Sequence, residues 1–160
     1  MNKNRRVKIG VRMGLPIVLE MLTVAGIREE LNDSCEWLAR MDRRAKMKPH
    51  QVEKLNNAMW SIAQRLSKVI IEYSDDRQAV IDQIKENLKP VKLKYIYGKH
   101  LGKNTAWWTY RTRRVREMDW GSYTFTKEEV LKINFAIADI ANRLLSVELV
   151  SDFESDDNIE

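Results

Sequence analysis

Residues 89–116, KPVKLKYIYGKHLGKNTAWWTYRTRRVR, carry nine cations (Lys89, Lys92, Lys94, Lys99, Lys103, Arg111, Arg113, Arg114 and Arg116) and no Asp or Glu. Tyr95, Tyr97, Trp107, Trp108 and Tyr110 are set among them. Leu93, Tyr95 and Tyr97 alternate with Lys92, Lys94 and Ile96, which is the two-residue period of a strand. Residues 98–104 have the two glycines and polar side chains of a loop, and 106–113 fit a returning strand. The pattern predicts a basic β-hairpin at about 91–125, with a short third strand at 123–125. Adjacent side chains of a strand point to opposite faces, so one of Trp107 and Trp108 is expected in the core and the other exposed or at an interface.

The sequence before the hairpin reads as helix. Pro16 suits a first helical turn, where its missing N–H costs nothing. Ile17, Val18, Met21, Leu22 and Ala25 then share one face, while Gly26 ends or weakens the helix. Asp33-Ser34-Cys35-Glu36 has capping-box spacing, with Trp37, Leu38 and Met41 inward. One bent helix or two shorter ones fit residues 16–46. After Pro49 the apolar positions Val52, Leu55, Met59, Ile62, Leu66, Val69 and Tyr73 recur at three- and four-residue steps, predicting a helix of roughly 36 Å. Trp60, Ala63 and Ile70 widen this stripe. Ser74-Asp75-Asp76 supplies caps for a further helix through Ala79, Val80, Ile84 and Leu88, and Pro90 closes the helical half. Beyond the hairpin, Thr126-Lys127-Glu128-Glu129 is a capping box opening a helix with Val130, Ile133, Ile137, Ile140, Ala141 and Leu144 inward.

The expected fold is therefore α+β and mostly α: long antiparallel helices, a basic hairpin and a C-terminal helix. The expected organisation is a basic N-terminal arm at 1–14, a single domain at 15–150 and an acidic tail at 151–160. No internal repeat or interdomain linker is visible. At 160 residues, 44% hydrophobic and 32% charged, the chain has the composition of a globular domain with a real core. Cys35 is the single cysteine, so an intramolecular disulfide is excluded. Glu20 interrupts the apolar run at 15–27, which also falls short of the roughly 20 residues of a membrane span. A cytoplasmic protein without a membrane partner is expected.

The net charge of +5 is unevenly spread. Cations crowd residues 3–12 and 89–116, and every charge after Arg143 is acidic. Such a distribution favours a polyanionic partner. Cations interleaved with rings suit phosphate neutralisation combined with base stacking. The candidate nucleic-acid-binding residues are thus Lys92, Lys94, Lys99, Lys103, Trp107, Trp108, Tyr110, Arg111, Arg113, Arg114 and Arg116. Asn2, Lys3, Asn4, Arg5, Arg6 and Lys8 could follow a phosphate backbone, while the acidic tail could compete for the basic stretch or dock on a partner through Phe153 and Ile159. Two helices followed by a basic hairpin resemble a winged helix. However, the segment that would enter a major groove, 75–88 (DDRQAVIDQIKENL), begins with acids, so backbone-directed binding is expected over base readout.

No catalytic, cofactor or metal signature stands out. The only histidines, His50 and His100, are far apart in the sequence, and His100 among cations reads as a polar contact. A glycine-rich phosphate loop, HExxH and a Cys/His zinc set are all missing. Glu29-Glu30, Asp75-Asp76 and Glu128-Glu129 are explained by capping and solvation. The expected function is a non-enzymatic nucleic-acid-binding accessory protein for DNA or RNA, with no cofactor. The small size, charge and tryptophan content resemble those of phage-type accessory proteins. The alternative is a protein-interaction module, an inhibitor or adaptor, docking the same face on an acidic protein, since Trp, Tyr and Arg also populate interface hot spots. A small metal-dependent nuclease ranks third. The near-heptad stripe at 52–73 also fits a homodimer seam.

Overall fold

The computed structural model describes residues 6–32, 47–113 and 124–151. Strand β1 (Val7–Gly10) leads directly into α1 (Val11–Met21), followed by α2 (Val24–Leu31). Next come α3 (Pro49–Leu66), α4 (Arg77–Asn87), a π-helical turn (Tyr95–His100) and α5 (Thr105–Thr112). The described chain closes with α6 (Lys127–Leu145) and β2 (Val147–Val150). The two longest helices, α3 and α6, form the central packing pair. One contiguous apolar core joins residues from every helix and from β2.

Helix α3 follows its predicted stripe through Val52, Leu55, Met59, Ile62 and Leu66, all buried within the chain and thus not available as a dimer seam. It ends at Leu66, at roughly 27 Å, short of the predicted Tyr73. Side-chain amides explain the early stop. Asn134 of α6 accepts from the Ile71 amide (2.8 Å) and donates to its carbonyl (2.9 Å). Gln83 of α4 treats Glu72 in the same way, at 2.8 and 2.9 Å. These groups replace the partners a helix would have supplied. Ile71 therefore turns inward while Ile70 and Tyr73 are exposed.

The N-terminal residues are not simply an arm. β1 pairs in parallel with β2, placing Val7, Lys8, Ile9 and Gly10 opposite Val147, Glu148, Leu149 and Val150. The outer edge of β2 is covered by α3: Asn56 bonds both the carbonyl (2.8 Å) and the amide (2.9 Å) of Leu149, and Trp60 Nε1 donates to the Val147 carbonyl (3.0 Å). α1 starts at Val11, ahead of the predicted Pro16, which lies inside the helix. Burial of Val11, Leu15, Val18 and Met21 on one face outweighs the hydrogen bond lost at Pro16. Ile17 and Ala25, expected inward, are exposed. Gly26 lies inside α2, capped by Thr23, because the helix passes against Pro90: a Cβ there would meet Pro90 Cα at 2.5 Å. The predicted cap at 33–36, with Trp37, Leu38 and Met41, lies outside the described residues, as does the possible strand residue Tyr123.

The predicted hairpin is absent: the described sheet has only the two parallel strands, and the basic stretch is helical. The alternation at 92–97 was a poor guide because Tyr95, Ile96 and Tyr97 are buried consecutively, which a one-sided strand cannot do. A helical turn enclosed by the rest of the chain can, and here it is the wide π-helical kind. The returning-strand residues 106–113 instead follow an N-cap, Asn104, whose Oδ1 accepts from the Trp107 amide at 2.9 Å. With no hairpin, the resemblance to a winged helix lapses. The last helix is as expected, with Thr126 and Glu129 forming their capping box and all six predicted apolar positions buried.

Candidate nucleic-acid interface

The basic stretch is shaped by what its aromatics do. Tyr97 stacks on Trp108 with ring centroids 5.3 Å apart, and its hydroxyl meets Thr105 Oγ1 at 3.0 Å. Trp107 and Trp108 both reach Phe125, at 6.1 and 5.8 Å, because neighbouring helical residues can serve one cluster. Trp108 is buried, as one of the pair was expected to be, whereas Trp107 is half-buried rather than fully exposed. Gly102, at φ +66°, turns the chain between the π-helical turn and α5. With Tyr95, Tyr97 and Trp108 packed inward, the lysines lie exposed.

Lys92, Lys94 and Lys99 line one groove of about 510 Å³, together with Pro16, Leu19, Glu20, Tyr95 and Gly98. Among the described residues Lys92 and Lys94 enter no ion pair. Lys99 Nζ lies 3.7 Å from Glu20 Oε2, an exposed and therefore weak contact. Lys103 continues the series and is exposed. The arginines divide differently. Arg111 is drawn inside, its Nη1 donating to the Thr124 carbonyl and to Glu129 Oε1, each at 2.7 Å. It thereby ties α5 to the capping box of α6. Arg113 and Tyr110 are exposed, whereas Arg114 and Arg116 lie outside the described residues. The buried Arg77 donates to the carbonyls of Tyr110 and Arg113, fastening the C-terminus of α5 onto the start of α4. Arg6, from the N-terminal run, is likewise anchored, lying 3.9 Å from the Trp60 ring centre and donating to the Leu145 carbonyl. The rest of that run up to Arg5, and the tail with Phe153 and Ile159, lie outside the described residues.

A polar cluster beside the groove was not foreseen. Asp139 of α6 accepts from Tyr95 (3.2 Å) and from Arg143 Nε (3.0 and 3.1 Å), and meets His100 Nε2 at 3.1 Å. Burial pushes the Asp139 carboxyl up, but the bond and charge of Arg143, with the bonds from His100 and Tyr95, outweigh it and hold the group below its ordinary value. Burial, with the neighbouring carboxylate second, pushes the Tyr95 hydroxyl up. The signal was an aspartate four residues before an arginine on a helix, a spacing too common to single out. What the sequence hid is that Asp139 fixes both ends of the π-helical turn, Tyr95 and His100, from which Lys99 projects.

Among the described residues no group of three or more His, Cys, Asp or Glu side chains is placed to hold a metal ion. No described helix is long and apolar enough to cross a membrane. A second groove, about 420 Å³ and mainly apolar, is lined chiefly by residues of α1 and α6, Asp139 and Arg143 among them. No protein-family model, curated protein or solved structure matches the chain.

Proposed function

We propose that this protein binds nucleic acid through its phosphates, using Lys92, Lys94 and Lys99 as the centre of the footprint, flanked by Lys103 and Arg113. The supporting observation is the groove itself: among the described residues, Lys92, Lys94 and Lys99 line it with Glu20 as the one carboxylate. A surface of unbalanced lysines releases condensed counterions when it meets a polyanion, which is the driving term for phosphate binding. Lys99 exchanges a solvent-screened contact with Glu20 for a phosphate at little cost. Arg111 and Trp108, committed to internal contacts, are left out of this footprint. The anchor-type aromatics on which a protein interface would draw are largely packed inward, so an acidic protein partner is less well served by the same stretch.

Fluorescence anisotropy of a labelled oligonucleotide, titrated with the parent and with the Lys92→Ala/Lys94→Ala/Lys99→Ala variant, tests the proposal. The variant is expected to bind at least tenfold more weakly at low salt, with unchanged folding by circular dichroism. Equal binding by a folded variant would remove the groove from the footprint.

A further inference from the structure

Three rings of the basic stretch, the buried Tyr95, the half-buried Trp107 and the exposed Tyr110, carry the chain's own cations. Lys99 Nζ sits 5.4 Å from the Tyr95 ring centre, and Lys103 Nζ 5.7 Å from that of Trp107. The Arg111 guanidinium lies 4.7 Å from the Trp107 centre, and that of Arg113 lies 4.2 Å from the Tyr110 centre. A ring approached by a cation in this way is held electrostatically and is a poor platform for an incoming base. The cation, in turn, gives up some freedom and keeps a defined position. The aromatics are therefore props for the charges.

We propose that the preferred ligand is double-helical nucleic acid, recognised by its phosphates without base stacking; this rests on the phosphate-binding reading above. Two general facts carry the preference. Stacking is the term that lets single strands compete, at roughly tenfold or more in affinity per base. Without it, the comparison falls to charge density, and a duplex, with one charge per roughly 1.7 Å, releases more counterion per contact than a single strand. A protein offering lysines and occupied rings thus binds the duplex more tightly. Lysines provide no planar fork for base edges, so little dependence on sequence is expected.

The test is a titration of the full chain against one mixed-sequence labelled strand, alone and annealed to its complement, at two salt concentrations with tryptophan emission recorded. The duplex is expected to bind several-fold more tightly, with the steeper salt dependence. Tyr110→Leu, at an exposed ring, and Trp107→Leu are expected to weaken both ligands by the same small factor, through Arg113 and Lys103, leaving the preference intact. Single-strand binding that equals or exceeds duplex binding overturns the proposal. Selective loss of single-strand affinity in Tyr110→Leu would do the same and identify stacking, and both results leave phosphate binding standing. Absence of binding to either ligand at low salt would instead overturn the phosphate reading, and the duplex preference with it.

Discussion

Gly26 shows how a single residue sets the position of the basic stretch. The Thr23 amide donates to the Pro90 carbonyl at 2.8 Å, and Lys92 returns a bond to the Met21 carbonyl, also 2.8 Å. This approach requires a bare Cα at Gly26, where a Cβ would lie 2.5 Å from backbone. On an exposed helix Gly→Ala stabilises by about 1 kcal/mol. Here the clash reverses the sign, and Gly26→Ala is expected to cost about 2 kcal/mol. Urea unfolding of the variant checks this, and a raised midpoint would contradict it. Asp139 gives a second residue-level test. Its folded carboxyl sits below its ordinary value, so its contribution is present above the unfolded value of about 3.9 and is lost as pH falls through the lower folded value. The urea midpoint should therefore decline on acidification toward about pH 3, and Asp139→Asn should flatten that decline relative to the parent. A parallel decline in the variant would assign the acid sensitivity elsewhere. Both residues are plain in the sequence, but a glycine's neighbour 64 positions away and an aspartate's contact with a distant turn are tertiary facts.

At the scale of elements, local rules succeeded where the segment's own residues decide the outcome. Thr126 and Glu129 cap α6, Asp76 caps α4, and the heptad-like stripe of α3 faces inward. They failed where a distant group supplies the backbone partner. The non-helical segment at 71–72 is held by the amides of Asn134 and Gln83, and β2 by Asn56. The basic stretch failed for another reason: period-two alternation over a few residues is also compatible with a helical turn whose consecutive side chains are all buried. Asn56 carries the clearest test. It is buried and supplies two bonds to Leu149, so Asn56→Leu leaves an amide and a carbonyl unpaired in the core. The expected loss is about 3 kcal/mol in chemical unfolding. A loss near zero would mean that β2 finds other partners without the clamp.

For the whole molecule, the pairing of β1 with β2 closes the described fold by bringing together segments from opposite ends of the sequence. No local signal announces such a pairing, and the four-residue strands are too short to read by period. The charge asymmetry was legible, and part of the candidate site with it: Lys92, Lys94 and Lys99 were named from composition and do share a groove. The division of labour among the cations was hidden, because it depends on burial. Arg77, Arg111 and Arg6 hold the fold together, and the lysines face outward. If these lysines neutralise phosphates as proposed, the salt dependence of duplex binding reports it. Each lysine acting on a phosphate contributes roughly 0.9 to the slope of log affinity against log salt. The Lys92→Ala/Lys94→Ala/Lys99→Ala variant should therefore bind more weakly and show a visibly flatter slope than the parent. An unchanged slope, with the variant folded, would mean that the groove lysines meet no phosphate.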